Sequence, residues 1–249
     1  DPELSRGLGD VYKRQNQYGA VVGGVYLRTG AGGANDDGLN IPEGDVVINS
    51  DPTSSEYGYQ AVDPVQRSIG NPNPDFILGW NNNIKIKDFS LGFLLDWREG
   101  GDLLNGVAWA LSYFGRDGLS AETRVEAPTP IVGVKEDGSP NDIPVVRDQY
   151  YYQSSVGGFG SVWEQFVQDG GWIRLREVSL GYNLPLAKMG IDFIDSGNVS
   201  IVGRNLWYSS DYNGVDPETS LTGVGNGQGV DYFNMPSTRS VMFKLNLNL

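Results

Sequence analysis

The sequence has no cysteine and no histidine among its 249 residues. Without thiols there is no disulfide, no thiolate metal site and no Cys nucleophile. Without imidazole there is no histidine-ligated zinc and no Ser-His-Asp triad. Positive charge is also scarce, with 18 Lys+Arg against 31 Asp+Glu and a formal net charge of -13. Nucleic acid asks for clustered basic residues, so it is not an expected partner. No run reaches the ~18 consecutive apolar residues of a membrane helix. That absence does not touch a membrane β-barrel, whose strands alternate and never build a long apolar run. Nothing in the sequence marks a cofactor or a metal site.

Glycine is abundant at 35 residues, with 13 prolines, a balance that suits turns and bulges better than helices. Five segments alternate with period 2, so each sets apolar side chains on one face and polar ones on the other. Over residues 76–86, Phe76, Leu78, Trp80, Ile84 and Ile86 oppose Asn81, Asn83 and Lys85. Over 89–97, Phe89, Leu91, Phe93, Leu95 and Trp97 oppose Ser90, Gly92 and Asp96. Over 241–249, Val241, Phe243, Leu245, Leu247 and Leu249 oppose Lys244, Asn246 and Asn248. In the fourth segment Val199, Ile201, Gly203 and Trp207 oppose Ser200 and Arg204, although Val202 and Leu206 interrupt the polar face. The fifth, 172–182, changes phase between Leu175 and Val178, which predicts a β-bulge near Arg176-Glu177. A sixth, Gly-rich segment at 18–28 alternates weakly and is read as a further strand. Residues 105–114 and 161–168 are read as short helices.

The connections are unequal. A tight hairpin joins 86 to 89 and a medium link joins 182 to 199. The stretches 29–75, 98–171 and 208–240 are far longer than the usual about 4–6 residues. Short turns at one end and long loops at the other are built into an outer-membrane barrel. The aromatics Trp80, Trp97, Tyr182 and Trp207 near strand ends match an interfacial girdle. A soluble β-sandwich would place the same alternation against a core. The loop asymmetry favours the barrel. Residues 1–15 do not join the pattern and resemble translated library-adaptor sequence, so the fold is expected in 16–249.

Several blocks then carry a family resemblance. They are Ile69-Gly-Asn-Pro-Asn-Pro-Asp-Phe-Ile-Leu-Gly-Trp80, Asp88-Phe-Ser-Leu-Gly-Phe-Leu-Leu95 and Gly100-Gly-Asp-Leu-Leu-Asn105. Further on come Gly171-Trp-Ile-Arg-Leu-Arg-Glu-Val-Ser-Leu-Gly-Tyr-Asn-Leu-Pro185, Val199-Ser-Ile-Val-Gly-Arg-Asn-Leu-Trp207, Asp211-Tyr-Asn-Gly-Val-Asp-Pro-Glu218 and Pro236-Ser-Thr-Arg239. In this order they resemble the SusC/RagA-type TonB-dependent outer-membrane transporters. The resemblance implies an all-β antiparallel transmembrane barrel of about 22 strands with a plugged lumen. It implies active import of glycan oligomers or peptides, energised by TonB and working with a SusD-like lid lipoprotein. This chain would be a C-terminal barrel portion, a partial, unclosed sheet of about six strands with long extracellular loops. The plug and the TonB-contacting segment would lie upstream. The alternatives are a passive porin-like barrel and a soluble glycan-binding β-sandwich. An enzyme is not expected, since nothing marks the spaced pair of acids a glycosidase needs.

Candidate site residues follow. The polar face offers Asn81, Asn83, Lys85, Asp96, Arg174, Arg176, Arg204 and Lys244 to the lumen or the plug. Lipid is expected against Phe76, Leu78, Trp80, Leu91, Phe93, Leu95, Trp97, Leu180, Tyr182, Ile201, Trp207, Phe243, Leu245 and Leu247. Tyr150, Tyr151, Tyr152, Phe159 and Trp163 could stack on substrate sugar rings, meet the lid, or pack within their loop. The acidic turn Asn35-Asp-Asp-Gly-Leu-Asn40 lacks the full pattern of a calcium loop and reads as a solvated turn. Asp216-Pro217-Glu218 is read as shaping the start of a loop, Pro217 fixing φ.

Overall fold

The computed structural model describes residues 20–30, 39–153, 162–191, 193–222 and 228–248. The 1–15 segment, Phe159, Leu249 and most of the Asn35–Asn40 turn lie outside the described residues.

Five long strands dominate: β1 (Phe76–Ile86), β2 (Phe89–Glu99), β3 (Trp172–Leu184), β4 (Ser196–Ser209) and β5 (Ser240–Asn248). They form one antiparallel sheet in which each strand pairs with its neighbour in sequence. β1 and β2 are joined by Lys87 and Asp88 alone, and Lys87 takes φ 55 to make the turn. The link from β3 to β4 is a 3-10 turn, Leu186–Met189, and a short return.

The register explains why alternation was readable. Leu91 lies opposite Ile84 on one side and Leu180 on the other. Leu180 pairs with Ile201, and Ile201 with Phe243, so one row crosses all five strands as apolar side chains. The next row is Lys85, Ser90, Gly181, Ser200 and Lys244. The phase change in β3 is a bulge: register shifts between Leu175 and Glu177 against both neighbours. A one-residue slip swaps faces, and the extra residue restores the match of Leu175 with Leu95 beyond it.

The apolar face stays uncovered. Ile86 is 67% exposed, Phe89 57% and Phe243 79%. Soluble monomers rarely expose so continuous an apolar surface. The sheet is also unclosed, with β1 and β5 each paired on one side only.

The sheet has five strands rather than about six. The Gly-rich segment does form a strand, Val21–Gly23, but it pairs with Arg67–Gly70 in a separate small sheet. Val21 and Val25 are drawn into an apolar core with Ile69, Leu104, Trp109 and Val230, which decides where the strand goes.

That core belongs to a lobe built from the three long connections. Asp102–Asn105 pairs antiparallel with Val167–Asp169 and parallel with Val230–Asp231, which laces two connections together. Val47–Ile48 pairs with Val134–Lys135 and ties in the third. A second core gathers Ile48, Tyr59, Ile131, Ile143, Val145, Tyr151 and Tyr152. A helix occupies Gly106–Tyr113, where one was expected, with Asn105 capping Ala108 N at 2.9 Å. The second expected helix, 161–168, is only a 3-10 turn at Glu164–Phe166. Its last residues run into the Val167–Asp169 strand, because their backbone pairs with Asp102–Leu104.

Candidate functional site

Lobe and sheet meet on the polar face, at the loop end of β2 and β3. Arg174 of β3 stands between Asp96 of β2 and Tyr208 of β4. Two residues on, the bulge inserts Arg176, and its side chain turns to the same face. Arg176 Nε donates to Asp96 Oδ2 at 2.6 Å, and Nη1 to Glu218 Oε2 at 2.7 Å. Its Nη2 also donates to Glu218 Oε1, so the contact is a two-point fork.

Arg174 is the deepest of these groups, its side chain 1% exposed. Its Nη2 donates to Asp216 Oδ1 at 2.6 Å and its Nη1 to the Ser237 hydroxyl. Glu218 Oε2 lies 3.4 Å from Nη1. The guanidinium sits 5.5 Å from the Trp172 ring and 5.0 Å from the Tyr208 ring, while Arg176 sits 4.9 Å from Trp172. Such stacking suits the weakly hydrated guanidinium. Burial pushes the Asp216 carboxyl up, but hydrogen bonds from Ser237, Arg174 and the Glu218 N–H outweigh it. The group is held below the usual carboxylate range. Two arginines thus meet three carboxylates, so both guanidiniums are paired and one negative charge is in excess.

A hollow of about 250 Å³ adjoins the cluster. Arg98 and Gly170 from the sheet end line one side, and Glu218, Ser220 and Gln228 from the 210–239 connection line the other. Among the described residues, no group of three acidic side chains could hold a metal ion. No described helix is long and apolar enough to cross a membrane.

All eight polar candidates lie on one face of the sheet, and the fourteen apolar candidates on the other. Only Asp96, Arg174 and Arg176 converge. Arg204 pairs instead with Glu177 at 2.9 Å. Asn81 and Asn83 touch each other at 3.5 Å, and Lys85 and Lys244 stand exposed at opposite ends of one row.

The aromatic group does not stay together. Tyr151 and Tyr152 are buried in one lobe core against Tyr59 and Thr123. Trp163 lies in the other core, 5.3 Å from Trp109. Among the described members Tyr150 is the exposed one, at 45%, its ring 6.2 Å from that of Tyr59 and its hydroxyl donating to Ser55 at 3.0 Å. The split follows from the capped turn at Gln149–Tyr151, which points consecutive rings different ways.

Ser237 was not foreseen as a partner of Arg174, nor Glu218 as a partner of Arg176. A usable signal was present: two arginines beside an expected bulge, on a face that is buried only near the loops, need carboxylates supplied from those loops. Asp216 and Glu218 lie in one such loop, where they were read only as shaping its start.

No protein-family model matches the chain. TonB-dependent receptor P3 of Formosa agariphila is 27% identical over 244 residues, covering 92% of this chain and 22% of the receptor. TonB-dependent receptor P26 of the same organism is 31% identical over 184 residues, covering 72% of this chain and 17% of the receptor. Among solved structures, the RagAB peptide importer in its open-open state matches with a TM-score of 0.52 at 18% identity. It covers 92% of this chain and 22% of that one. The RagAB peptide transporter gives 0.54 at 17% identity, with 92% and 22% covered. The chain therefore spans about a fifth of the relatives it matches. The RagAB likeness shows a shared fold, and with the relative at 31% identity the chain belongs to the TonB-dependent receptors.

Proposed function

We propose that the chain is the C-terminal barrel portion of an outer-membrane active importer of glycan oligomers or peptides. Residues 16–249 supply the barrel strands and loops, and 1–15 are adaptor-derived. In this reading the apolar face, from Phe76 across to Leu247, contacts lipid. The polar face looks into the lumen, and the lobe stands outside the cell. TonB supplies energy through a segment upstream, and a SusD-like lipoprotein covers the lobe, where Tyr150 offers an exposed ring. The observation that carries the reading is the row of apolar side chains crossing all five strands with nothing packed on it. A soluble sandwich would cover residues 76–97 on both faces, and Ile86 and Phe89 are exposed there.

The test uses the full-length receptor in outer membranes. A fluorophore on Cys replacing Phe243 should be quenched by brominated lipid, and one replacing Ser200 should not. Equal quenching at both sites would sink the lipid assignment. Uptake of labelled oligosaccharide and peptide mixtures should stop when TonB is removed. Uptake that continues without TonB favours a passive pore.

A further inference from the structure

We propose that Arg174 is a positioning residue for the 210–239 connection, a latch that holds both of its legs down on the sheet. The functional meaning, control of the opening at the barrel mouth, rests on the reading above. The contact itself does not.

The two legs are joined through one guanidinium. Asp216 on the outgoing leg and Ser237 on the returning leg both bond Arg174, and they also bond each other. Glu218, next to Asp216, reaches on to Arg176, which is itself tied to Asp96 of β2. The connection is thus clamped at its base to β3 directly, and through Arg176 to β2. Beyond the clamp it is anchored by the two-residue pairing of Val230–Asp231 with Leu104–Asn105 and by Val230 in the lobe core.

The sheet does not need this clamp to pair. β3 and β4 hold a long ladder from Ile173–Ser209 to Leu184–Gly197, of which Arg174 is one member. Backbone bonds keep that ladder whatever the side chain at 174. Among the described residues, the connection's strand pairing is two residues long, Val230–Asp231 with Leu104–Asn105. Removing Asp216 leaves the buried Arg174 guanidinium with only the longer Glu218 contact, 3.4 Å, a penalty that falls on the state in which the loop is down. Release of the loop relieves that penalty by letting water in. The low-stability element is therefore the connection, and it should open as a unit while the strands stay paired.

The hollow beside the cluster fits this arrangement. Residues 217–220 and 228–229 of the connection form one side, and Arg98, Leu103 and Gly170 form the other, so lifting the connection opens it.

The experiment places a single Cys at Val230, 4% exposed, in full-length receptor from which any cysteine outside this chain has been replaced. Its labelling by an impermeant maleimide reads the opening of the connection. Heat-modifiable migration on gels reads assembly of the barrel. Asp216→Ala should raise the labelling rate about tenfold or more with migration unchanged. Ser237→Ala should raise it less. The double variant Arg174→Met/Asp216→Ala leaves no unpaired buried charge at this pair and still lacks the latch, so it should assemble and label fast. Asp142→Asn, a change far from the clamp on an exposed pair, should do nothing. Unchanged labelling in assembled variants overturns the proposal. So does failure of all three variants to assemble, because the contact would then build the sheet rather than position the loop. A Cys at Asp211 separates the two readings. If intact cells do not label it, the outward placement fails, and the latch is still read on purified receptor in detergent.

Discussion

Ser237 donates both its hydroxyl and its backbone N–H to one oxygen of Asp216, Oδ2, at 2.6 and 3.0 Å across 21 residues of chain. The other oxygen takes Arg174 Nη2 at 2.6 Å and the Glu218 N–H at 3.1 Å. Four donors on one carboxylate hold it in its charged form against burial. A depressed carboxyl contributes stability that is present above its unfolded pKa and lost as pH falls through the folded one. The charged neighbours are Arg174, Arg176, Glu218 and Asp96, and protonating either of the latter two acids weakens the clamp further. Protection from hydrogen exchange in the 210–239 connection, relative to the unstructured rate at each pH, should therefore fall as pH drops below the ordinary carboxylate range, about 3.9. Asp216→Asn should already exchange fast at neutral pH and lose most of that acid step. An unchanged acid step in the variant would assign it to another group.

Leu180 and Ser179 are adjacent in β3 and face opposite ways, Leu180 in the apolar row with Leu91 and Ile201, Ser179 between Gly92 and Val202. A Lys on the lipid face near the bilayer midplane costs about 2–4 kcal/mol. Leu180→Lys should lower the folded fraction of full-length receptor in liposomes by that much in a urea titration. Ser179→Asn, at the same depth on the other face, should stay within about 1 kcal/mol. Equal costs would mean the two faces share one environment.

Strand alternation was legible because faces differ in solvent and the period is two. Leu175 and Val178 even announced the bulge, since a phase change must be absorbed somewhere. The lobe was not legible. Its strands, from Val47–Ile48 to Asp102–Asn105, are two to four residues long, too short to carry a period. Val21–Gly23 was readable as a strand, but its partner Arg67–Gly70 was chosen by burial of Val21 and Ile69. The clamp was half legible. Arg174 and Arg176 stood on the expected face, but Ser237 lies 63 residues from Arg174 and belongs to a loop whose path no local rule sets.

Gly58 takes φ 82, and a Cβ there would stand 2.4 Å from Val145 Cγ1 and 2.8 Å from Ile143 Cγ2. Both neighbours are in the second lobe core, and Tyr59 beside it is buried in the same core. Gly58→Ala meets the left-handed penalty, about 1–2 kcal/mol, and overpacking of about 1–3 kcal/mol. Protease cleavage in the lobe should accelerate by well over tenfold, with heat-modifiable migration of the sheet retained. Wild-type protease resistance would show that this core yields more easily than its contacts suggest.

Tyr212 and Asp231 form the connection's second polar anchor, the Tyr212 hydroxyl donating to Asp231 Oδ2 at 2.6 Å with both side chains buried. Asn234 Nδ2 donates to the other oxygen at 3.1 Å. Burial, and then the neighbouring Asp231 carboxylate, pushes the Tyr212 hydroxyl well above the usual phenol range. A raised group keeps its proton more tightly in the folded state. The contact is therefore complete below about pH 10, the ordinary value, and its contribution declines as pH rises above that. Tyr212→Phe removes a hydrogen bond to a charged acceptor, a loss of about 1.5–3 kcal/mol. Asp231→Asn keeps an acceptor and should cost less. The double variant separates the pair from its surroundings: a coupling near zero in hydrogen exchange of the 210–239 connection would mean Asn234 alone satisfies Asp231. A coupling above about 1 kcal/mol would show that Tyr212 and Asp231 act as one anchor.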